Sequence, residues 1–260
     1  MQHTFNPFVI QGYQGKDFFC DREEELALLI EHVLNHRNIT LFGWRRLGKT
    51  ALLQHLAEEL RDQHAIDTLF VDIGACRDLH DLTLKTVEAA YQQFGRTSRG
   101  NLKKSFQQIM GAFGLTLSFD PITGIPALSL GIQQQKESTP SLQALFRFLA
   151  ELDNTVLIVL DEFQQISHFK ESHIEGLFRE FTQTFPTLRF TFSGSHRGIM
   201  QSMFTDHNRP FYKSTQLVDI REVNRDSYSS FILHHFAAHQ KSISKEVTYA
   251  IYDLCRGETY

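Results

Sequence analysis

The sequence predicts a three-layer α/β sandwich, a parallel sheet between helices, organised around one tight loop at the end of its first strand. Three observations predict it. Asn38-Ile39-Thr40-Leu41-Phe42 is β-branched and apolar, Ala51-Leu52-Leu53-Gln54-His55-Leu56-Ala57 carries helical spacing, and Gly43-Trp44-Arg45-Arg46-Leu47-Gly48-Lys49-Thr50 joins them; strand, glycine-bounded loop and helix follow with no spare residues. Farther on, Thr155-Val156-Leu157-Ile158-Val159-Leu160-Asp161-Glu162 is an uninterrupted apolar run closed by two carboxylates, the pattern of a parallel strand buried on both faces. Segments of strand type and of helix type alternate through much of the remaining chain.

The loop matches G-x-x-x-x-G-K-S/T in full, and the chemistry of holding a phosphate requires those residue types. Gly43 lets the chain turn sharply out of the strand, and Gly48 lets the backbone approach an anion that a Cβ would obstruct. The N–H groups of the loop and the dipole of the helix it opens attract the phosphate. Lys49 reaches the β- and γ-phosphates as a point charge, and the Thr50 hydroxyl can ligate Mg²⁺. Gly43, Trp44, Arg45, Arg46, Leu47, Gly48, Lys49, Thr50 and Ala51 are therefore expected to bind nucleotide.

Composition sets bounds. At 260 residues the chain can hold one large α/β domain or one domain with part of a second. A formal net charge of −4 provides no electrostatic reason for an obligate nucleic-acid partner, and Arg96, Arg99, Lys103 and Lys104 are too few to argue for a basic face. Cys20, Cys76 and Cys255 are widely spaced, so neither a disulfide framework nor a zinc site is expected. No basic-then-apolar leader is visible and no apolar run approaches membrane-spanning length, so the expectation is a cytoplasmic protein without membrane contact.

Residues 1 to 19 are aromatic-rich and read as an extended arm. Asp21 is expected to cap a helix reaching about His36, with Glu24 in the capping-box position. The loop's helix should end near Gln63, followed by a mostly buried strand over residues 66 to 73. Helices are expected over Leu79 to about Phe94 and Leu102 to Phe113. The period then changes to two: Leu115, Leu117 and Phe119 alternate with polar residues, and Ala127-Leu128-Ser129-Leu130 resumes the pattern. This predicts a hairpin inserted over about 114–133, either covering a sheet edge or binding a partner. Thr139-Pro140 signals a helix start, with Leu142, Leu145, Phe146, Leu149 and Leu152 on one face.

The carboxylates at the end of the 155–162 strand lie where α/β sheets place ligands. Asp161 is expected to hold Mg²⁺ with Thr50, and Glu162 to orient and deprotonate the attacking water; the alternative for Asp161 is a helix cap. Another strand, Leu188 to Ser193, ends in Gly194-Ser195-His196-Arg197. A polar residue at its tip can sense the γ-phosphate, Ser195 first and Ser193 second, the alternative being an ordinary turn. Arg197 and Arg209 are candidates for stabilising charge on the transferred phosphoryl group, Arg209 being carried forward as catalytic with Glu162, Lys49 and Ser195. Leu217 to Ile220 reads as a last short strand. Helices follow from Asn224, with Tyr228, Phe231, Ile232 and Phe236 on one face, and from Val247 to Leu254. His235 and His239 lie one turn apart, a metal pair lacking a third ligand.

Guanine readers usually carry an Asn-Lys-x-Asp element, absent here, and Asp161-Glu162-Phe163-Gln164 lacks the glycine of a GTPase switch, so ATP is the expected nucleotide. With these pieces the chain resembles the archaeal-type ATPases, near the STAND and AAA+ branches of P-loop NTPases. The resemblance rests on Phe19-Cys20-Asp21-Arg22-Glu23-Glu24-Glu25-Leu26, Gly43 through Thr50 with its Arg45-Arg46 pair, Leu160 through Gln164, and Gly194-Ser195. Arg209-Pro210-Phe211-Tyr212 and Gly257-Glu258-Thr259-Tyr260 also match, the last with Thr259 where the family usually has proline. The resemblance implies a sheet in the order 5-1-4-3-2, an adenine pocket lined by the Phe19 to Arg22 segment, with Phe19 and Arg22 as cofactor contacts, and a sensing Ser195. It further implies an ATPase core over residues 1–222 and the start of a helical lid over 223–260, so that the chain is a fragment or lacks an output domain.

The expected function is a Mg²⁺-dependent ATPase acting as a molecular switch or motor, with a homo-oligomer, effector domain or effector protein as its partner. Two alternatives remain. One is a helper ATPase of a DNA transposition, replication or defence system. The other is a nucleotide-dependent scaffold without useful hydrolysis, against which the intact Asp161-Glu162 pair argues.

Overall fold

The computed structural model describes residues 8, 12–95, 115–119, 126–130, 138–171 and 173–258. The expected helix over 102–113 and the basic cluster over 96–104 lie outside the described residues.

Five parallel strands form the main sheet: β1 (Ile39–Gly43), β2 (Asp67–Asp72), β5 (Val156–Asp161), β6 (Arg189–Gly194) and β7 (Gln216–Ile220), in the order β2-β5-β6-β1-β7. Counted without the hairpin, this is 2-3-4-1-5, the expected order read from the other edge. The hairpin of β3 (Leu115–Phe119) and β4 (Pro126–Leu130) is antiparallel, with Leu115 opposite Leu130 and Phe119 opposite Pro126.

Burial follows position in the sheet. Every residue of β1, β5 and β6 is buried, because each of these strands is flanked by two others and covered by helices on both faces. Over the expected second strand at 66–73, Ile66, Leu69, Val71 and Ile73 are buried and Asp72 is exposed; among the described residues β2 pairs with β5 alone, and Leu69 and Val71 are its buried side chains. A strand with one free edge keeps part of its surface in water. At the opposite edge, β7 likewise buries only Val218 and Ile220.

The sheet separates two cores by the alternation of its side chains. On one face Ile39, Leu41, Leu157, Val159, Val218 and Ile220 pack beneath Leu29 and Val33 of α1 (Glu23–Leu34) and Leu52, Leu53, Leu56 and Leu60 of α2 (Lys49–His64). On the other, Val156, Ile158, Leu160, Phe190 and Phe192 pack beneath α3 (Leu79–Ala90), α4 (Ser138–Ala150), α5 (Ile174–Thr184) and α6 (Arg197–Thr205). The second core is dense in phenylalanine. Phe163 lies 4.5 Å from Phe192 and Phe192 5.1 Å from Phe211, ring centre to ring centre. Each fully buried ring contributes roughly 1.5–3 kcal/mol, and Phe163 immediately follows Glu162, so this cluster is the floor on which the acidic tip of β5 rests.

Local chemistry sets the ends of the helices. Asp78 caps α3 by accepting from Asp81 N, and Pro140 sits in the first turn of α4, which begins at Ser138, one residue before the expected cap Thr139. Asp21 does not cap α1, contrary to expectation. Arg22 holds the cap position in the left-handed region, and the Asp21 carboxylate instead accepts from the Asn224 backbone N–H at 2.8 Å. Asn224 and Ser244 cap the last two helices, α7 (Arg225–Ala238) and α8 (Lys245–Cys255). Among the described residues no helix is long and apolar enough to cross a membrane.

Candidate nucleotide site

Parallel pairing brings the carboxyl ends of β1, β5 and β6 to one edge, with Phe42 opposite Gly194 and Leu160 opposite Phe192. The Gly43–Thr50 loop leaves β1 there. A Cβ on Gly43 would lie 2.4 Å from the Ile220 carbonyl oxygen, so only glycine lets β1 turn this close to β7. Gly48 adopts φ +78° at the head of α2, where glycine carries no steric cost.

Lys49 is 6% exposed, and its ammonium donates to the Gly43 carbonyl at 3.0 Å and the Trp44 carbonyl at 2.6 Å. Burial pushes its pKa down, against the pull of Glu162 and Asp161. Thr50 Oγ1 donates to Asp161 Oδ2 at 2.7 Å, joining residues 111 positions apart. Asp161 is 3% exposed, and burial pushes its pKa up while the Thr50 hydroxyl holds it down. The site thus keeps a cation and an anion out of water, each bonded mostly to neutral groups, an arrangement that an arriving phosphate and a divalent cation would complete.

Glu162 adopts the left-handed φ of +56°, which swings its side chain off the line of β5. Its N–H donates to Asp161 Oδ1 at 3.0 Å, and its Oε2 accepts from Ser195 Oγ at 2.8 Å and from Gln164 Nε2. Arg45 Nε reaches Ser195 Oγ at 3.5 Å. A Cβ on Gly194 would fall 2.3 Å from Gln164 Oε1, so the glycine makes room for the amide that holds Glu162. Lys49, Thr50, Asp161, Glu162 and Ser195 therefore converge on one edge. Ser193, buried on β6, faces Asp161 and helps hold its carboxyl down.

Two arginines stand elsewhere. Arg209 is paired in a bidentate manner with Glu175 of α5 and reaches Ser202 of α6 at 3.4 Å; these bonds hold it on α5 and α6 rather than at the phosphate loop. Arg197 pairs with Asp219 of β7 and stands 6.0 Å from the Phe42 ring centre. Trp44 is 61% exposed on the loop, and Arg46 lies 3.5 Å from Glu258.

Beside the loop lies a cavity of about 180 Å³. It is lined by Leu47, Gly48 and Ala51, by Phe19, Cys20 and Arg22, and by Val223, Tyr228 and Phe231. Phe19, expected as an adenine contact, is among its lining residues. Arg22 also borders it, yet its guanidinium donates to Leu47 O, Arg221 O and Glu25. Sequence reasoning missed the arm's part in this enclosure. Tyr13 Oη donates to Glu58 at 2.7 Å and its ring stacks on His55 of α2, while Phe18 stacks on His235 of α7. The aromatic density of residues 1–19 was the only local signal. Gln164 closed the Leu160-to-Gln164 run without any cue that its amide would hold Glu162. His239 Nδ1 lies 2.8 Å from the His235 carbonyl, and no cluster of three metal-ligating residues occurs among the described residues.

Residues 19–259 match the family described as an ATPase domain predominantly from Archaea. No curated protein matches the chain. Among solved structures, the Walker-type ATPase PABY2304 of Pyrococcus abyssi superposes with a TM-score of 0.68 at 19% identity, over 98% of this chain and 68% of that one. The Aeropyrum pernix ORC2 protein, solved as ADPNP and ADP complexes, superposes with a TM-score of 0.60 at 14% identity, over 89% of this chain and 55% of that one. Cdc6p from Pyrobaculum aerophilum gives 0.60 at 14% identity, over 95% and 57%. The chain therefore spans little more than half the length of the last two, and at these identities the likeness is one of fold. From the match across residues 19–259, the chain belongs to the family of ATPase domains found predominantly in Archaea.

Proposed function

We propose that the chain binds ATP with Mg²⁺ at the edge of β1, β5 and β6, hydrolyses it, and uses the cycle to move its C-terminal helices. The observation that carries this reading is the Thr50 Oγ1 to Asp161 Oδ2 hydrogen bond of 2.7 Å, which joins the two halves of a nucleotide site from distant parts of the chain.

Each residue has a role its surroundings support. The N–H groups at the head of the 16-residue helix α2 attract the phosphates. Lys49, whose pKa burial pushes down and whose ammonium donates to two carbonyls, gains a charge-assisted partner in the bound phosphate. Thr50 and Asp161 are the residues that would hold Mg²⁺, which when bound neutralises charge on the phosphate oxygens. Glu162 accepts a proton from the attacking water as the water oxygen bonds the γ-phosphorus and the bond to the bridging oxygen breaks, leaving ADP and phosphate. Ser195, bonded to Glu162, aims that carboxylate and places a hydroxyl where a γ-phosphate is sensed. No step falls to Arg209 while Glu175 holds it. Phe19 packs the base in the apolar cavity that Tyr228 and Phe231 of α7 also line, so that α7, with α8 packed on it, acts as a lid over it.

Trp44 is the sole tryptophan of the chain, and its emission reports loop occupancy. Titration with ATP should change it saturably, and Lys49→Ala should weaken the affinity by roughly 10- to 150-fold, the loss of a charge-assisted contact to phosphate. Lys49→Ala with normal ATP affinity would sink the assignment of the loop.

A further inference from the structure

The turn into α1 holds two successive non-glycine residues in the left-handed region, Asp21 at φ 63° and Arg22 at φ 86°. Side chains disfavour this conformation, and it persists where surrounding contacts over-determine it. Those contacts run in two directions. Arg22, 4% exposed, donates from Nη2 to Leu47 O at 3.3 Å inside the phosphate loop and to Arg221 O just beyond β7, and from Nη1 to Glu25 Oε1 at 2.7 Å. Asp21 Oδ2 accepts from Asn224 N at 2.8 Å, and Asn224 Oδ1 in turn accepts from Asp226 N and Ser227 N at 2.9 and 3.1 Å. Hydrogen bonds and two short stretches of backbone thus connect the phosphate loop to the first turn of α7, through the 221–224 segment by which the chain leaves the sheet.

We propose that Asp21 and Arg22 are positioning residues that form a hinge pin, making the pose of α7 and α8 depend on whether the phosphate loop is filled. The inference rests on the reading of the loop as an ATP site. The peptide plane supplies the coupling. Leu47 C=O and Gly48 N–H belong to one planar unit, so turning that N–H toward an anion turns the carbonyl that Arg22 grips. The planar guanidinium can hold carbonyls on two elements at once, whereas a lysine ammonium is a single point donor. The same residue lines the cavity together with Leu47 and Gly48 of the phosphate loop and Val223 of the 221–224 segment, and so touches the space shared by the parts that must close together.

The test follows Trp44 emission and the hydrogen exchange of α7 amides, with and without ADP and Mg²⁺, in the wild-type chain and in Arg22→Met, Arg22→Lys and Asp21→Gly. In the wild type, nucleotide should change the emission and slow α7 exchange about tenfold or more. In Arg22→Met the emission change should persist at an affinity weaker by about tenfold, while the slowing of α7 falls below about twofold; Arg22→Lys should restore part of it. Asp21→Gly relieves the strained φ and deletes the bond to Asn224, so it should keep the melting temperature yet lose part of the α7 response, a combination that a purely structural role would not produce. Full wild-type slowing of α7 in both Arg22→Met and Asp21→Gly overturns the pin, as does a wild type that binds ADP without any response in α7. Should Arg22→Met fail to fold, Asp21→Gly alone decides. A wild type that shows no affinity for ADP overturns the ATP reading together with the pin that rests on it, whereas retained affinity separates the two.

Discussion

Replacing Thr50 by valine removes one hydroxyl and keeps the shape, so its effect can be worked from a single bond. Thr50 Oγ1 donates to Asp161 Oδ2 at 2.7 Å, and burial already pushes the Asp161 pKa above the usual carboxylate range. A hydrogen bond to an ionised acceptor is worth about 1.5–3 kcal/mol. At about 1.4 kcal/mol per tenfold, kcat/KM for ATP hydrolysis should fall by roughly 10- to 150-fold, and the Mg²⁺ concentration giving half-maximal turnover should rise. Thr50→Ser, which restores the hydroxyl, should return to within about threefold of wild type, since the side chain regains its donor. Steady-state phosphate release at varied Mg²⁺ measures both effects. Urea denaturation of the nucleotide-free chain supplies a readout independent of activity, because Asp161 loses a partner there too. Thr50→Val with wild-type turnover, Mg²⁺ dependence and stability would refute the reasoning.

Further outcomes follow from single contacts. Gly194→Ala places a Cβ 2.3 Å from Gln164 Oε1 and 2.6 Å from Met200 Sδ, so it should cost about 1–3 kcal/mol of stability by overpacking and lower kcat by displacing the amide that holds Glu162; unchanged stability and kcat would show that the site relaxes freely. His235 is buried against Phe18 and Phe231, and burial pushes its pKa down, with His234 and His239 adding to the fall and Asp17 opposing it. The fold therefore favours its neutral form, and the stabilising contribution is present above the usual histidine pKa of about 6.5 and is lost as pH falls from there through the depressed value. Proteolysis of the arm should accelerate between pH 7.5 and 5.5, roughly the window in which an unperturbed histidine titrates, and His235→Gln should flatten that dependence; a wild-type arm equally resistant at both pH values would contradict the assignment. Burial also pushes the Cys20 thiol up to about 12, so alkylation by iodoacetamide at pH 8 should be slow and slower still with ATP, since Cys20 lines the cavity. Mass spectrometry showing rapid modification, indifferent to ATP, would place Cys20 outside the nucleotide's shelter.

What the sequence made legible was contiguous chemistry. The phosphate loop needs its glycines, lysine and threonine at fixed spacing, and the buried strand ending in Asp161-Glu162 advertises itself by an apolar run. The strand order came through resemblance, since hydrophobic pattern alone does not say which strands are neighbours. The same blindness hid the edge position of β2, because an apolar run looks alike whether a strand has two partners or one. Asp21 had every local mark of a helix cap, but Asn224, 203 residues away, took its carboxylate. Gln164, Tyr13 and Phe231 gained their places around the site through folding, from contacts that no local spacing encodes. Arg209 is the converse case, where a plausible finger finds Glu175 34 residues earlier in the chain.

Hydrolysis itself remains the most direct test of the chemistry assigned to the β1, β5 and β6 edge. Purified wild-type chain and Glu162→Gln should be compared for phosphate release from ATP, each with Mg²⁺ and with EDTA. The arrangement of Lys49, Thr50, Asp161, Glu162 and Ser195 predicts turnover only in the wild type with Mg²⁺, with ATP affinity intact in Glu162→Gln. Turnover in Glu162→Gln equal to wild type, or turnover indifferent to Mg²⁺, would contradict it.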